Sequence, residues 1–155
     1  MPSQEILHLR DWQLSERHRA WGRNCPMIDL DFLAVEFDTL IPRGICEYKH
    51  CNTRFTDDEL CQRAGIRVVR TLANLAGLAA WVAVYNPNNW SFRVVALNEI
   101  ARTLFGGKKI FTERDYVERI YHLRGSKLPA DIEVQLNATF HGIEELDDSG
   151  FPIAA

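Results

Sequence analysis

The sequence predicts an α/β fold in a single domain, residues 1–140, followed by an acidic tail, residues 141–155, which we expect to be mobile. Apolar, β-rich segments alternate with segments that carry helix caps and a helical spacing of apolar residues. At 155 residues the chain can bury a core without disulfides. Its 46% hydrophobic and 25% charged residues are typical of a globular protein rather than a disordered one.

The first half of the chain is predicted to form a helix over residues 4–20, strands over residues 27–37 and 43–51, and a helix over residues 56–77. Pro42 marks the turn between the two strands. Thr56 and Glu59 form a capping box at the start of the second helix, and Gly77 is placed to end it. The apolar stripe of this helix is predicted to be Leu60, Ala64, Val68, Leu72, Leu75 and Ala76.

The second half is predicted to begin with a buried strand over residues 78–85, a turn at the Asn-Pro-Asn-Asn run, and a returning strand over residues 91–97. A short helix is expected from Asn98 to Leu104, and residues 106–109 form a flexible, basic connection. Thr112 then caps another helix, which Gly125 and Pro129 end. Periodicity is weak beyond this point, so we predict no further element.

The residues that indicate a catalytic site are three acids and one lysine. Alternate side chains of a strand share a face, so Glu47 and Lys49 point the same way, as do Asp29 and Asp31 on the preceding strand. If the strands form a hairpin, all four side chains share one surface. Carboxylates so close together repel one another, so their arrangement indicates a divalent cation. The chemistry this suggests is metal-assisted hydrolysis of phosphodiesters.

The order of helix, acid-bearing strand, Glu-x-Lys strand, amphipathic helix and buried strand resembles the PD-(D/E)XK nuclease superfamily over about residues 4–98. The resemblance implies a restriction-endonuclease-like core, a mixed central sheet of about four strands flanked by helices. It also implies a Mg²⁺-dependent deoxyribonuclease, with an endonuclease favoured and Mn²⁺ as a substitute cation. Two features depart from the family pattern: the strand expected before the acid-bearing strand is short or missing, and Pro26 stands three residues before Asp29.

Carried over to this chain, the resemblance assigns Glu47 and Lys49 to the (D/E)-x-K motif, with Glu47 as a metal ligand and Lys49 beside the attacking water. The metal-binding acid of the preceding strand is Asp31 or Asp29. We favour Asp31, because it leads directly into an apolar run, and keep Asp29 as a second ligand. Many members place a Glu of the first helix near the metal, and Glu16 is the matching candidate.

Four further residues are candidates for contact with nucleic acid, namely Arg19, His50, Gln62 and Arg63. Arg19 belongs to a basic cluster of the first helix, and Arg63 to another on the second helix; either cluster could face phosphates or simply be a solvated helix face. His50 follows Lys49 directly. The aromatic residues of the second half could stack on bases or belong to the core: Trp81, Tyr85, Trp90 and Phe92.

The net charge of −3 counts mildly against a nucleic-acid partner, but four acids of the tail account for it, and the rest of the chain carries about +1. No secretory signal and no apolar stretch of about 20 residues is present, so we expect a cytoplasmic protein without a membrane partner. DNA is the expected partner. A homodimer is compatible with this activity, although the sequence shows no interface.

Two other readings stay open. On the same fold, the acids could be vestigial, and the protein could be a catalytically inactive nucleic-acid-binding or assembly module. A zinc-stabilised adaptor could instead use the residues with suitable ligand atoms, which are Cys25, Cys46, His50, Cys51 and Cys61. Their spacing is poor for zinc because no Cys-x-x-Cys pair occurs, and reduced thiols are the default expectation.

Overall fold

The computed structural model describes residues 17, 20, 28, 30–36 and 38–138. Within them, five strands and five helices follow in the order β1 (Phe32–Val35), β2 (Pro42–His50), α1 (Asp57–Gln62), α2 (Ala64–Ala76), β3 (Ala79–Asn86), β4 (Ser91–Ala96), α3 (Glu99–Phe105), β5 (Ile110–Phe111), α4 (Glu113–Leu123) and α5 (Ala130–Ala138). The prediction of an α/β fold is therefore confirmed. Of the predicted helix over residues 4–20, only Arg17 and Ala20 are described, and both are helical; the acidic tail lies outside the described residues.

All five strands form one mixed, open sheet in the order β1-β2-β3-β4-β5. β2 and β3 are parallel, and the other neighbours are antiparallel. A parallel pair needs a crossover connection, which α1 and α2 supply between β2 and β3. The acid-bearing strand and the Glu-x-Lys strand form an antiparallel hairpin, the condition on which a shared surface depended, with Phe32 opposite Cys46 and Leu33 opposite Ile45.

Helices cover both faces of the sheet. The central strands are apolar on both faces, as the continuous run of buried apolar residues in β3 shows, and both faces must therefore be shielded from water. Ile45 of β2 belongs to the core under α1 and α2, together with Leu60, Ile66, Val69, Ala73, Val82, Val84 and Val95. Cys46, the next residue, belongs to the core under α3 and α4, with Trp81, Phe92, Leu104, Phe105, Phe111 and Tyr116. Successive residues of β2 therefore contribute to different cores.

The predicted helix over residues 56–77 is two helices, because the backbone of Arg63 is extended between them. The capping box of Thr56 and Glu59 and the end at Gly77 are confirmed. The predicted apolar stripe is wrong beyond Leu60, since the break changes which face of the following helix meets the sheet. Ile66, Val69 and Ala73 are buried instead, whereas these predicted core residues are exposed: Ala64, Val68, Leu72, Leu75 and Ala76.

Three other predictions differ from the structure. β1 is shorter than predicted, and Phe32 is 60% exposed because β1 is the edge strand among the described residues. The two-residue strand β5 was not predicted, since its signal is short. α5 was also not predicted, because its apolar residues are spread around the helix; it is held to α4 by an ion pair between Arg114 and Glu133 of 2.6 Å.

The acid-bearing edge is tied to the far end of the described chain. The amide of Glu36 donates to the Ile41 carbonyl at 3.0 Å, so the Val35 carbonyl of the same peptide group points away from β2. The Nε of Arg124, the residue that follows α4, donates to this carbonyl oxygen at 3.0 Å. A side chain therefore satisfies a carbonyl on the open side of β1. Among the described helices, none is both long and apolar enough to cross a membrane.

Asn98 connects α2, β3 and α3 through a buried side chain that is 5% exposed. Its Oδ1 accepts hydrogen bonds from the amides of Ala80, at 3.2 Å, and Ala101, at 3.1 Å. Its Nδ2 donates to the Leu78 carbonyl at 2.8 Å and to Oδ1 of Asn74 at 3.1 Å. The side chain thus caps α3 and satisfies buried backbone groups at the same time.

We expect Asn98→Ala to lower the free energy of unfolding by about 2 kcal/mol, because it removes a helix cap and leaves buried backbone groups without partners. Urea unfolding monitored by circular dichroism measures this change. Asn88→Ala, an exposed turn substitution, is the control and should change the free energy by less than about 0.5 kcal/mol. Equal losses in the two variants would contradict this role of Asn98.

A buried hydrogen-bonded network lies on the α3 and α4 side of β2. The hydroxyl of Tyr116 accepts from Nε1 of Trp81 at 2.9 Å and lies 2.9 Å from the hydroxyl of Tyr48 and 3.6 Å from the sulfur of Cys46. Burial raises the pKa of the Cys46 thiol to about 12, and burial also raises the pKa values of Tyr48 and Tyr116. These groups therefore stay protonated when the folded protein is in mildly alkaline solution.

We expect stability to fall as the pH rises above about 8.5, the pKa of an unfolded thiol. Above that pH the unfolded chain releases protons that the folded chain keeps, so the unfolded state is favoured progressively up to the folded pKa of Cys46, about 12. Urea unfolding at a series of pH values measures the slope. Cys46→Ala should reduce the slope between pH about 8.5 and about 9.5; an unchanged slope would contradict the assignment.

Candidate metal and catalytic site

The hairpin of β1 and β2 brings Asp31, Glu47 and Lys49 together. Glu47 and Lys49 lie on either side of the half-buried Tyr48 in β2, and the Nζ of Lys49 lies 2.7 Å from Oε1 of Glu47. Asp31 directly precedes β1, and its Oδ2 accepts a hydrogen bond from the amide of Tyr48 at 3.1 Å. The same oxygen lies 3.9 Å from the Nζ of Lys49. One ammonium group therefore stands between two carboxylates.

The three side chains differ in their exposure to solvent. The side chain of Glu47 is 15% exposed, whereas those of Lys49 and Asp31 are 32% and 33% exposed. Glu47 is thus the most deeply buried of the three groups, and Lys49 and Asp31 lie nearer to solvent. A ligand arriving from solvent can reach Lys49 and Asp31 directly.

One oxygen of Glu47 has no partner among the described residues. Oε1 pairs with Lys49, but Oε2 is buried and makes no hydrogen bond, the single side-chain oxygen or nitrogen of this kind in the described part of the chain. Leaving an ionised oxygen buried and unpaired is costly, so such an oxygen indicates a partner beyond the described side chains. A cation coordinated there would fit, and carboxylate oxygen is the ligand that Mg²⁺ and Mn²⁺ prefer.

Two carboxylates are available to such a cation in the described residues, from Asp31 and Glu47. No group of three or more His, Cys, Asp or Glu side chains suited to a metal occurs in that part of the chain. The predicted ligands Asp29 and Glu16 lie outside the described residues, as does Arg19. Magnesium usually keeps several waters and is often held by only one or two carboxylates plus a substrate phosphate, so two protein ligands are compatible with it.

The structure does not place His50 with the acids. Its side chain lies on the opposite face of β2 from Lys49, where its ring contacts Tyr85 with centroids 5.4 Å apart. Its Nδ1 accepts a hydrogen bond from the amide of Asn52 at 3.1 Å. His50 is exposed, so any contact with nucleic acid would occur on that other face.

Gln62 and Arg63 lie at the break between α1 and α2, and both are exposed. The guanidinium of Arg63 packs over the ring of Phe55, 4.5 Å from its centroid. α1 and α2 cover the face of the sheet that carries Glu47, so both residues lie on the side of the sheet that carries the site. No contact joins them to Glu47 or Lys49.

The aromatic candidates divide into two pairs. Trp81 and Phe92 are core residues, 1% and 7% exposed. Tyr85 and Trp90 stack on each other at the end of the β3–β4 hairpin, with centroids 6.3 Å apart, and Trp90 is 42% exposed.

The cysteines suggested as zinc ligands do not lie together. Cys46 is buried under α4, Cys51 is partly exposed at the end of β2, and Cys25 lies outside the described residues.

Sequence reasoning missed a second charged cluster on the same face as Lys49. Lys49 is opposite Val84, and Val84 is opposite Arg93, so Arg93 faces the same way two strands further along. Arg93 forms an ion pair with Asp57, the first residue of α1, and the Nζ of Lys109 lies 3.7 Å from the same carboxylate. The sequence does contain one sign of this cluster, which is the single arginine, Arg93, within the otherwise largely apolar segment of β4.

Comparison with known proteins found no match: no protein-family model, no curated protein and no solved structure is similar to the chain. The function must therefore be argued from the geometry of the residues themselves and from the sequence resemblance described above.

Proposed function

We propose that the protein is a metal-dependent nuclease that hydrolyses phosphodiester bonds of DNA, with Mg²⁺ or Mn²⁺ as its cofactor and an endonuclease favoured. The observation that carries this proposal is the buried, unpaired Oε2 of Glu47 next to Asp31 and Lys49. The strand order also supports it: an acid-bearing strand, an antiparallel Glu-x-Lys strand, a helical crossover and a parallel buried strand. We propose a restriction-endonuclease-like core on the same ground.

Asp31 and Glu47 would hold the cation through their carboxylate oxygens. When bound, the cation supplies polarisation of a phosphoryl oxygen and a lowered pKa of a coordinated water. Lys49 is positioned by Glu47, so its ammonium group would lie close to the negative charge that develops on the phosphate during transfer. The exposure of Lys49 and Asp31 leaves room for a phosphodiester to approach from solvent. We further expect action in the cytoplasm, in a monomer or homodimer.

Asp31 also has a structural contact, and this favours a second candidate function. Its Oδ2 fixes the amide of Tyr48, so the acid would help to hold the hairpin even without a cation. The second candidate is therefore a catalytically inactive nucleic-acid-binding or assembly module on the same fold. It differs from the nuclease in predicting no cleavage under any metal condition.

Cleavage assays on labelled single-stranded, duplex and branched DNA, with RNA as a comparison, test the proposal. We expect products with Mg²⁺ or Mn²⁺ and none with EDTA, since both carboxylates need the cation to act on a phosphate. Circular as well as linear DNA should be used, because cutting of a circle identifies an endonuclease. Absence of products from all substrates with both metals, in protein shown to be folded, would favour the inactive module.

A further inference from the structure

Lys109 and Asp57 line a groove at the β4 and β5 end of the sheet, and Arg93 adjoins it through its ion pair with Asp57. The groove has a volume of about 250 Å³. Its lining combines charged residues and a glycine with apolar residues, namely Asp57, Arg102, Gly107, Lys108, Lys109, Val94, Val95, Ala96 and Phe105. Gly107 has a positive φ of 76°, and a Cβ added to it would meet no atom within 4 Å, so the rim is open at this point. A group larger than water could enter there.

The charges in this groove do not balance. The carboxylate of Asp57 is shared between Arg93 and Lys109. Arg102 pairs with Glu99, and Lys108 pairs with Asp115, which also contacts Arg114; Arg114 has two further acids, Glu118 and Glu133. One positive charge is therefore left over, and Lys109, whose side chain is 75% exposed, is the cation held most loosely. An anion from solvent is the complementary ligand.

The register of the sheet relates this groove to the candidate site. Lys49 and Arg93 face the same side from strands that are separated by β3 alone. Neighbouring strands lie about 4.8 Å apart, so their backbones are about 10 Å apart. A nucleic-acid strand that lies across this face with one phosphate at Lys49 could place another at Arg93 and Lys109.

We propose that the groove at Arg93 and Lys109 binds a second backbone phosphate of the substrate, on the same face of the sheet as the phosphate at Lys49. The proposal rests on the nuclease function proposed above for its choice of nucleic acid as ligand. Phosphate is recognised by charge here, so the groove would position the strand without reading its sequence. The carboxylate of Asp57 would hold the side chains of Arg93 and Lys109 in place before the phosphate binds. Afterwards it would compete with the phosphate for these two side chains.

Asp57→Asn, compared with Asp58→Asn, tests this idea. Both residues lie in the first turn of α1 and both substitutions remove one negative charge, but only Asp57 contacts Arg93 and Lys109. The full-length chain is titrated against a fluorescein-labelled DNA duplex in EDTA, with fluorescence anisotropy as the readout. We expect Asp57→Asn to tighten binding at least threefold more than Asp58→Asn. Equal affinities of the two variants would overturn the phosphate groove.

Lys109→Ala provides a second measurement, with Lys127→Ala as its control because Lys127 is exposed and lies outside the groove. We expect Lys109→Ala alone to reduce the slope of log affinity against log salt by about 1, the loss of one phosphate contact. Equal slopes would overturn the proposal. The two proposals can fail separately. If the protein cleaves no substrate but Asp57→Asn still tightens DNA binding, the nuclease function is contradicted and the phosphate-binding groove is supported.

Discussion

Glu47→Gln is expected to reduce metal-dependent cleavage at least about a thousandfold, which corresponds to about 4 kcal/mol in the activation barrier. The amide keeps the size of the side chain but removes the charge that the cation needs, and it removes the acid partner of Lys49. Single-turnover cleavage with Mg²⁺ and with Mn²⁺ measures the loss. The fold should remain intact, because glutamine keeps an oxygen that can accept from Lys49, and Oε2 of Glu47 has no hydrogen-bond partner among the described residues.

Thermal unfolding with and without Mn²⁺ separates loss of the cation from loss of the fold. A cation that binds only the folded protein raises its melting temperature, and the rise should be absent in Glu47→Gln. Glu36→Gln is the matched control, since Glu36 follows β1 but pairs with Arg43 and Thr39 at the opposite end of the hairpin. It should cleave and bind Mn²⁺ normally. Cleavage by Glu47→Gln at the wild-type rate would contradict the proposed site.

Gly44→Ala is expected to lower the free energy of unfolding by about 3 kcal/mol, the largest loss predicted here for a single methyl group. A Cβ at this position in β2 would lie 2.7 Å from Cζ3 of Trp81, 3.0 Å from Cδ2 of Leu123 and 3.2 Å from the carbonyl oxygen of Ala79. Trp81 is buried, and the carbonyl belongs to the neighbouring strand, so neither can move freely. Urea unfolding measures the change.

Gly65→Ala is the control for the same chemical change. Gly65 lies in the first turn of α2, and the nearest atom to an added Cβ, Cγ2 of Ile28, is 3.9 Å away. Alanine is favoured over glycine in a helix by up to about 1 kcal/mol, so this variant should be as stable as the wild type or more stable. A loss at Gly65 as large as the loss at Gly44 would show that close packing of the strand is not the cause.

The part of the site that depends on local sequence could be predicted. Asp31, Glu47 and Lys49 lie on two strands joined by one turn, so strand alternation was enough to place them on one surface. The caps at Thr56 and Thr112 could also be predicted, because each depends on a side chain and an amide three residues apart.

The cluster of Arg93 and Asp57 could not be predicted in this way. These residues are 36 positions apart and meet only because α1 crosses over the face of the sheet that carries Arg93. The exposed face of α2 was missed for a related reason. Periodicity assumes a continuous helix, and the extended backbone of Arg63 ends that continuity without a proline to mark it.

The hydrogen bond from Arg124 to Val35 has a consequence for the order in which the protein can fold. It joins positions 89 residues apart, and the acid-bearing strand receives this restraint only after α4 has docked. Contacts of such long sequence separation form late, because the intervening chain must first lose its conformational freedom. During synthesis on the ribosome, the Glu-x-Lys hairpin would therefore emerge early yet reach its final geometry only when nearly all of the described chain has been made. Chains released before α4 would lack this restraint on the hairpin.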